Sequence, residues 1–149
     1  MNIDERWMHF AIEEAIKAEN IGEVPVGAII IKNEQIIAKA HNMPILKNDP
    51  TAHAEILAIR RACKKIQNYR LIDTTLYVTL EPCNMCLGAI IHARVSRIIF
   101  GAFDSKTGAC GSSENLKSAN FIKYKSKIYG GILEKDCQNI LQKFFKERR

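Results

Sequence analysis

Thr75-Leu76-Tyr77-Val78-Thr79-Leu80-Glu81-Pro82-Cys83-Asn84-Met85-Cys86 joins a β-branched and aromatic run to a proline-initiated helix that carries two cysteines three residues apart. A strand that empties directly into a helix start is the unit of an α/β fold. Earlier in the chain, Thr51-Ala52-His53-Ala54-Glu55 supplies the matching half. One imidazole and two thiolates form a Cys₂His set, one ligand short of a closed tetrahedral zinc site. A structural zinc is normally closed by a fourth protein ligand, whereas a catalytic zinc keeps that position for water. Glu55, two residues past His53, is placed to handle that water's protons. A structural reading needs Cys110, Cys137 or His92 as fourth ligand and leaves Glu55 without a role.

Working outward, Asp49-Pro50-Thr51 carries the capping side chains and proline of a helix start, with Ile59, Ala62, Cys63 and Ile66 as the buried stripe. This places His53 and Glu55 in the first helical turn. Upstream, Val26 to Ile31 reads as a buried strand, Lys32-Asn33-Glu34-Gln35 as a turn, and Ile36-Ile37-Ala38 as its hairpin partner. Gly27 allows a close approach by a ligand or another backbone. The second strand ends at His41-Asn42, and a loop over 43–50 leads to the metal motif. The Asn42 amide suits a nucleobase edge or ribose, or simply a turn. The first helix spans about Asp4 to Asn20, with Met8, Ile12, Ala15 and Ile16 inward, Glu13 and Lys17 paired outside, and Trp7 as a packing anchor; Gly22 and Pro25 end it. Downstream come a strand over Ser96–Phe100, a loop from Gly101 to Ser113, a short strand at Ile128-Tyr129, and a helix with Cys137, Ile140, Leu141 and Phe144 inward. Two metal half-sites at helix N-termini then converge at one end of the sheet, the usual ligand crevice of such folds.

At 149 residues, 47% apolar and 26% charged, the chain is expected to form one globular domain over 1–149. The N-terminal residues lack the apolar run of a signal peptide, and no stretch is long enough to span a bilayer, so no membrane partner is expected. Five cysteines, two of them in a metal-type pair, argue against a disulfide framework and for a reducing cytoplasm. Net charge is +6, and from Lys117 onward nine Lys/Arg face three Asp/Glu, an excess of six that equals the whole net charge. A basic C-terminal third suits a nucleic-acid partner; a solvated lysine-rich surface is the plain alternative.

The H-x-E…P-C-x-x-C pattern matches the known signature of zinc nucleobase deaminases. Three further blocks narrow the match: Val24-Pro25-Val26-Gly27-Ala28, Asn68-Tyr69-Arg70-Leu71-Ile72-Asp73, and Gly101-Ala102-x-Asp104-x-Lys106-x-Gly108-Ala109. With Asn42, they make nearly the whole chain resemble the bacterial tRNA-specific adenosine deaminases of the TadA type. The resemblance implies a cytidine-deaminase-like, three-layer α/β/α sandwich around a mixed five-stranded sheet. It also implies a homodimer, one Zn²⁺ per subunit held by His53, Cys83 and Cys86, and Glu55 as proton shuttle. The reaction implied is hydrolysis of adenosine to inosine at the first anticodon position of a tRNA anticodon stem-loop. Asn42, Ala54, Asp104, Lys106, Phe145 and Arg149 would form the substrate-binding set, with Phe144 and Arg148 beside the anticodon strand. Phe144 continues the apolar stripe and also reads as core, while Phe145 lies off it and is the stacking candidate. The chain departs from the family at Phe121-Ile122-Lys123-Tyr124, where an Asn-His pair is usual, and at Phe103, where a polar residue is common. A deaminase of a free nucleobase or nucleotide, of guanine or cytidine type, would use the same zinc machinery. A non-catalytic RNA-binding protein with a structural zinc is the remaining class.

Overall fold

The structure, a computed structural model, describes residues 1–118 and 124–148. The hairpin β1 (Gly27–Lys32) and β2 (Gln35–His41) turns through Asn33 and Glu34, both at positive φ (51° and 61°). A two-residue turn of this hand matches the twist of the strands it joins. Strands β3 (Thr74–Leu80), β4 (Arg97–Ala102) and β5 (Lys127–Tyr129) complete a sheet of order β2-β1-β3-β4-β5. β1 pairs antiparallel with β2 and β3, while β3, β4 and β5 run parallel, so the sheet is mixed.

Helices cover both faces, which explains why the central strands read as unbroken apolar runs. On one side Ile29, Ile31, Tyr77 and Ile99 pack with Met8 and Ala11 of α1 (Ile3–Asn20) and with Cys137, buried from α5 (Glu134–Glu147). On the other, Ala28, Ile30, Leu76, Val78, Ile98 and Phe100 meet Leu57, Ala58 and Ala62, then Leu87 and Ile90. Those helical residues belong respectively to α3 (Ala54–Ile66) and α4 (Asn84–His92), with the short helix α2 (Pro44–Lys47) preceding them. The result is the expected three-layer α/β/α sandwich around a mixed five-stranded sheet.

The inward face of α1 differs from the expected stripe. Met8, Ala11, Glu14, Ala15 and Ala18 are buried, whereas Ile12 is half-buried and Ile16 exposed. The cause lies in β1. A Cβ at Gly27 would stand 2.0 Å from the Ala11 carbonyl oxygen and 2.5 Å from the Ala15 nitrogen. The helix lies so close to the strand that only small side chains fit the seam, and the isoleucines rotate outward. Lys17 accordingly pairs with buried Glu14 at 2.6 Å rather than with Glu13.

The start of α3 also differs from expectation. Asp49, Pro50 and Thr51 do not enter the helix; the Asp49 carboxylate accepts from the Thr51 N–H at 2.9 Å and its hydroxyl at 2.7 Å, closing a turn. The helix begins at Ala54 with His53 as its N-cap. Within the expected loop over 43–50, α2 forms because buried Glu23 accepts from the N–H groups of Ile45 (3.2 Å) and Leu46 (2.8 Å).

The Gly27 seam yields a stability prediction. Gly27→Ala, which adds only a methyl group, should destabilise the fold by about 1–3 kcal/mol through overpacking against α1. A urea melt would show this as a lower midpoint at unchanged slope. An unchanged midpoint would contradict the close α1–β1 approach.

Candidate active site

Two helix starts deliver the metal-type ligands. His53 is the N-cap of α3, Cys83 is the N-cap of α4, and Cys86 lies in the first turn of α4. His53 Nδ1 lies 3.8 Å from Cys83 Sγ and 3.4 Å from Cys86 Sγ, and the three ligand atoms all fall within 4.8 Å of one another. Tetrahedral zinc, with bonds of about 2.3 Å to sulfur and about 2.0 Å to nitrogen, separates S from N by roughly 3.5 Å. The donors and their spacing therefore fit one such ion. Among the described residues no other His, Cys, Asp or Glu joins the group. Cys137 is buried on the α1/α5 side of the sheet and His92 ends α4, so neither supplies the fourth ligand of a closed structural site. Cys110 also stands outside the cluster.

The electrostatics ready one of the three ligands, Cys83, for a metal. The Cys86 thiol, against the cost of burial and with help from His53, holds the Cys83 thiol down at about 4. Cys83 is thus the thiolate that a metal requires, at a helix N-terminus whose dipole stabilises it further. Cys86 is pushed upward by its bond to Cys83 and by burial, and His53 is raised by its bond to Cys83. Glu55 is 4% exposed, and burial pushes its carboxyl up to about 7, against the pull of His53. A carboxyl so placed can take and return a proton near neutral pH.

His53, Glu55 and Cys83 line a cleft of about 250 Å³ together with Val24, Val26, Pro44, Leu80, Glu81, Asp104 and Thr107. Asn42 lines it too; its Oδ1 accepts from the Ala54 N–H at 2.8 Å, which leaves the amide NH₂ for whatever occupies the cleft. Ala54 itself is wholly buried and bonds Asn42 through its backbone. One residue earlier, His41 Nδ1 meets Glu14 Oε1 at 3.0 Å and steadies the end of β2. Burial works to raise the Glu14 carboxyl, but the bonds from His41 and Lys17 prevail and hold it below the usual range.

The remaining candidates occupy the rim. The Asp104 carboxylate accepts from the N–H groups of Lys106 (3.0 Å) and Thr107 (3.1 Å) and from the Thr107 hydroxyl (2.7 Å), so it builds its own turn. Lys106 is exposed and helps line a second hollow of about 410 Å³, which shares Val24, Leu80, Asp104 and Thr107 with the cleft and adds Phe103 and Phe145. Phe144 is buried, as its place in the apolar stripe requires, with the Arg148 guanidinium 3.9 Å from its ring centroid. Phe145 is 51% exposed. Arg149 and the stretch Phe121-Ile122-Lys123 lie outside the described residues. Sequence reasoning passed over Glu81, whose buried carboxylate sits beneath the loop after β4. Its one signal was an acidic residue directly before Pro82-Cys83, ahead of a Gly/Ser/Asp-rich loop.

Comparison with known proteins agrees with this geometry. The MafB19-like deaminase family matches residues 2–149. The tRNA-specific adenosine deaminase of Haemophilus influenzae is 48% identical over 147 residues, covering 98% of this chain and 85% of that protein. That of Bacillus subtilis is 46% identical over 149 residues, covering 100% and 92%. A solved structure from work on A-to-I editing by tRNA:A34 deaminases at the wobble position of transfer RNA superposes with a TM-score of 0.87 at 39% identity, covering 91% of this chain and 99% of that one. Guanine deaminase from Bacillus subtilis superposes with a TM-score of 0.67 at 42% identity, covering 75% and 71%. The deaminase family match, with relatives 46–48% identical over nearly the full length, makes this chain a deaminase belonging to the bacterial tRNA-specific adenosine deaminase family.

Proposed function

We propose that the protein hydrolyses adenosine to inosine at the first, wobble position of a tRNA anticodon, releasing ammonia. The observation that carries this reading is the three-ligand cluster with buried Glu55 on a cleft that adjoins a hollow lined by Phe103, Phe145 and Lys106. His53, Cys83 and Cys86 would hold the zinc. Zinc in such a ligand set supplies Lewis acidity that lowers the pKa of water toward neutrality. Glu55 carries one proton from the attacking water to N1 of the base and then the second, from the new C6 hydroxyl, to the departing amine, so that the C–N bond breaks, ammonia leaves and a C6 carbonyl remains. Asn42 offers its NH₂ to the bound nucleotide, held in place by its bond to the α3 N-terminus.

The surroundings favour RNA over a free base. A cleft of about 250 Å³ suits a single extruded base, and the hollow next to it offers Phe103 and Phe145 for stacking and Lys106 for phosphate. An anticodon loop is already unpaired, which spares the cost of extracting the base from a duplex. The excess of basic residues after Lys117 serves the same polyanion. The match to guanine deaminase keeps a free nucleobase as the second reading. Five free thiols fit a reducing cytoplasm, and no helix among the described residues is long and apolar enough to cross a membrane. The homodimer is the assembly that the family resemblance carries.

A deamination assay tests the substrate. A short RNA hairpin with adenosine at the first anticodon position should yield inosine, while free guanine, cytidine and adenosine beside it stay unchanged. Turnover of a free base alone would overturn the RNA assignment and leave the zinc chemistry standing. A second experiment tests Glu55. Glu55→Gln should keep one zinc per chain and lose activity by about 10²–10⁴-fold, the range for removing a general acid–base group. Near-full turnover with zinc retained would remove Glu55 from the mechanism.

A further inference from the structure

Glu81 stands two residues before Cys83 and is 2% exposed. A carboxylate tolerates such burial only when its oxygens are bonded. Here both are, and every partner comes from one loop. Oε1 accepts from the Asp104 N–H at 3.0 Å and from the Ser112 hydroxyl. Oε2 accepts from the N–H groups of Cys110 at 2.9 Å and Ser112 at 3.2 Å. Bonds to a charged acceptor are the stronger class. The loop also ties back at Pro82, whose carbonyl accepts from the Ala109 N–H at 2.9 Å. Gly108 crosses so near that a Cβ there would lie 2.4 Å from Glu81 Cδ.

This loop is the part of the chain that faces substrate from the β4 side. Asp104 and Thr107 wall the cleft, and Lys106 helps line the hollow beside it. We propose that Glu81 is a positioning residue for the nucleic-acid substrate: its carboxylate gathers the donors of Asp104, Cys110 and Ser112 and fixes the 104–112 loop as one wall of the cleft, in register with Cys83. Glu81 also lines the cleft, but its four bonds engage both carboxylate oxygens with the loop, so its assigned action is through that loop. Its substrate role rests on the RNA-deaminase reading above, whereas its loop-holding role does not. Without the carboxylate the donors lose their acceptor, and substrate binding must then order the loop. That cost falls on binding and not on the bond-breaking step.

The test combines two variants with three readouts. Glu81→Gln keeps the side-chain shape but turns an NH₂ toward N–H donors. Gly108→Ala leaves the carboxylate intact and pushes the loop away from it. Amide hydrogen exchange across residues 103–115 should accelerate in both variants, while bound zinc stays at the wild-type level. For the anticodon hairpin, KM should rise about tenfold while kcat stays within about threefold, the pattern of lost binding that ground state and transition state share. Unchanged exchange would overturn the loop-holding role. Faster exchange with unchanged KM would reduce Glu81 to a structural residue and overturn the substrate role. Loss of zinc with a matching fall in kcat would show that Glu81 supports the Cys83 turn instead. A wild-type protein inert on the hairpin would sink the RNA reading, and the exchange measurement would still decide whether Glu81 holds the loop.

Discussion

His53 and Cys83 each occupy the N-cap of a helix, and the site exists because those two helix starts lie side by side. The topology brings them there. From His53 the chain descends through α3, climbs through β3 and enters α4 at Cys83, so both caps fall at the end of the sheet where β3 finishes. The parallel pairing of β3 with β4 then sends α4 back across the same face as α3. Two positive helix ends meeting at one point favour thiolate over thiol and bound anions over neutral groups. The sandwich core holds this junction rigid, with Ala54, Ala58, Leu87 and Ile90 packed beneath it.

Buried glutamates organise the rest of the site. Glu14, Glu23, Glu55 and Glu81 are all at most 4% exposed. Three of them are bonded into place: Glu14 by His41 and Lys17, Glu23 by the first amides of α2, and Glu81 by the loop after β4. Each anchors a different part of the site: the end of β2 beside Asn42, the Pro44 rim, and the Asp104–Thr107 wall. Glu55 has no comparable ring of donors, and burial leaves its carboxyl at about 7. One residue type is thus a clamp where protein donors solvate its carboxylate, and carries a raised carboxyl, the one proposed to move protons, where they do not.

Much of this was legible in the sequence, and the rest was hidden for physical reasons. Strand runs such as Ile29-Ile30-Ile31 and Ile98-Ile99-Phe100 identified the sheet because both its faces are covered. The candidate ligands His53, Cys83 and Cys86 are legible because metal chemistry restricts residue type and spacing, and the structure brings the three together. The start of α3 lies a few residues beyond the sequence signal because Asp49 and Thr51 are as good at closing a turn as at capping a helix. The buried face of α1 could not be read from its own periodicity, since it is set by the missing side chain of Gly27 on a different element. Glu81 is not legible because three of its four bonds come from backbone amides more than twenty residues away, which carry no side-chain signature.

The measurement closest to the central claim is the zinc coordination itself, read by X-ray absorption at the zinc K-edge on the zinc-loaded protein. The account predicts two sulfurs at about 2.3 Å, one nitrogen at about 2.0 Å and one further light atom from solvent, with that last contact altered when an anticodon hairpin is added. A third sulfur, or a second imidazole closing the shell, would contradict an open catalytic site and return the cluster to a structural role.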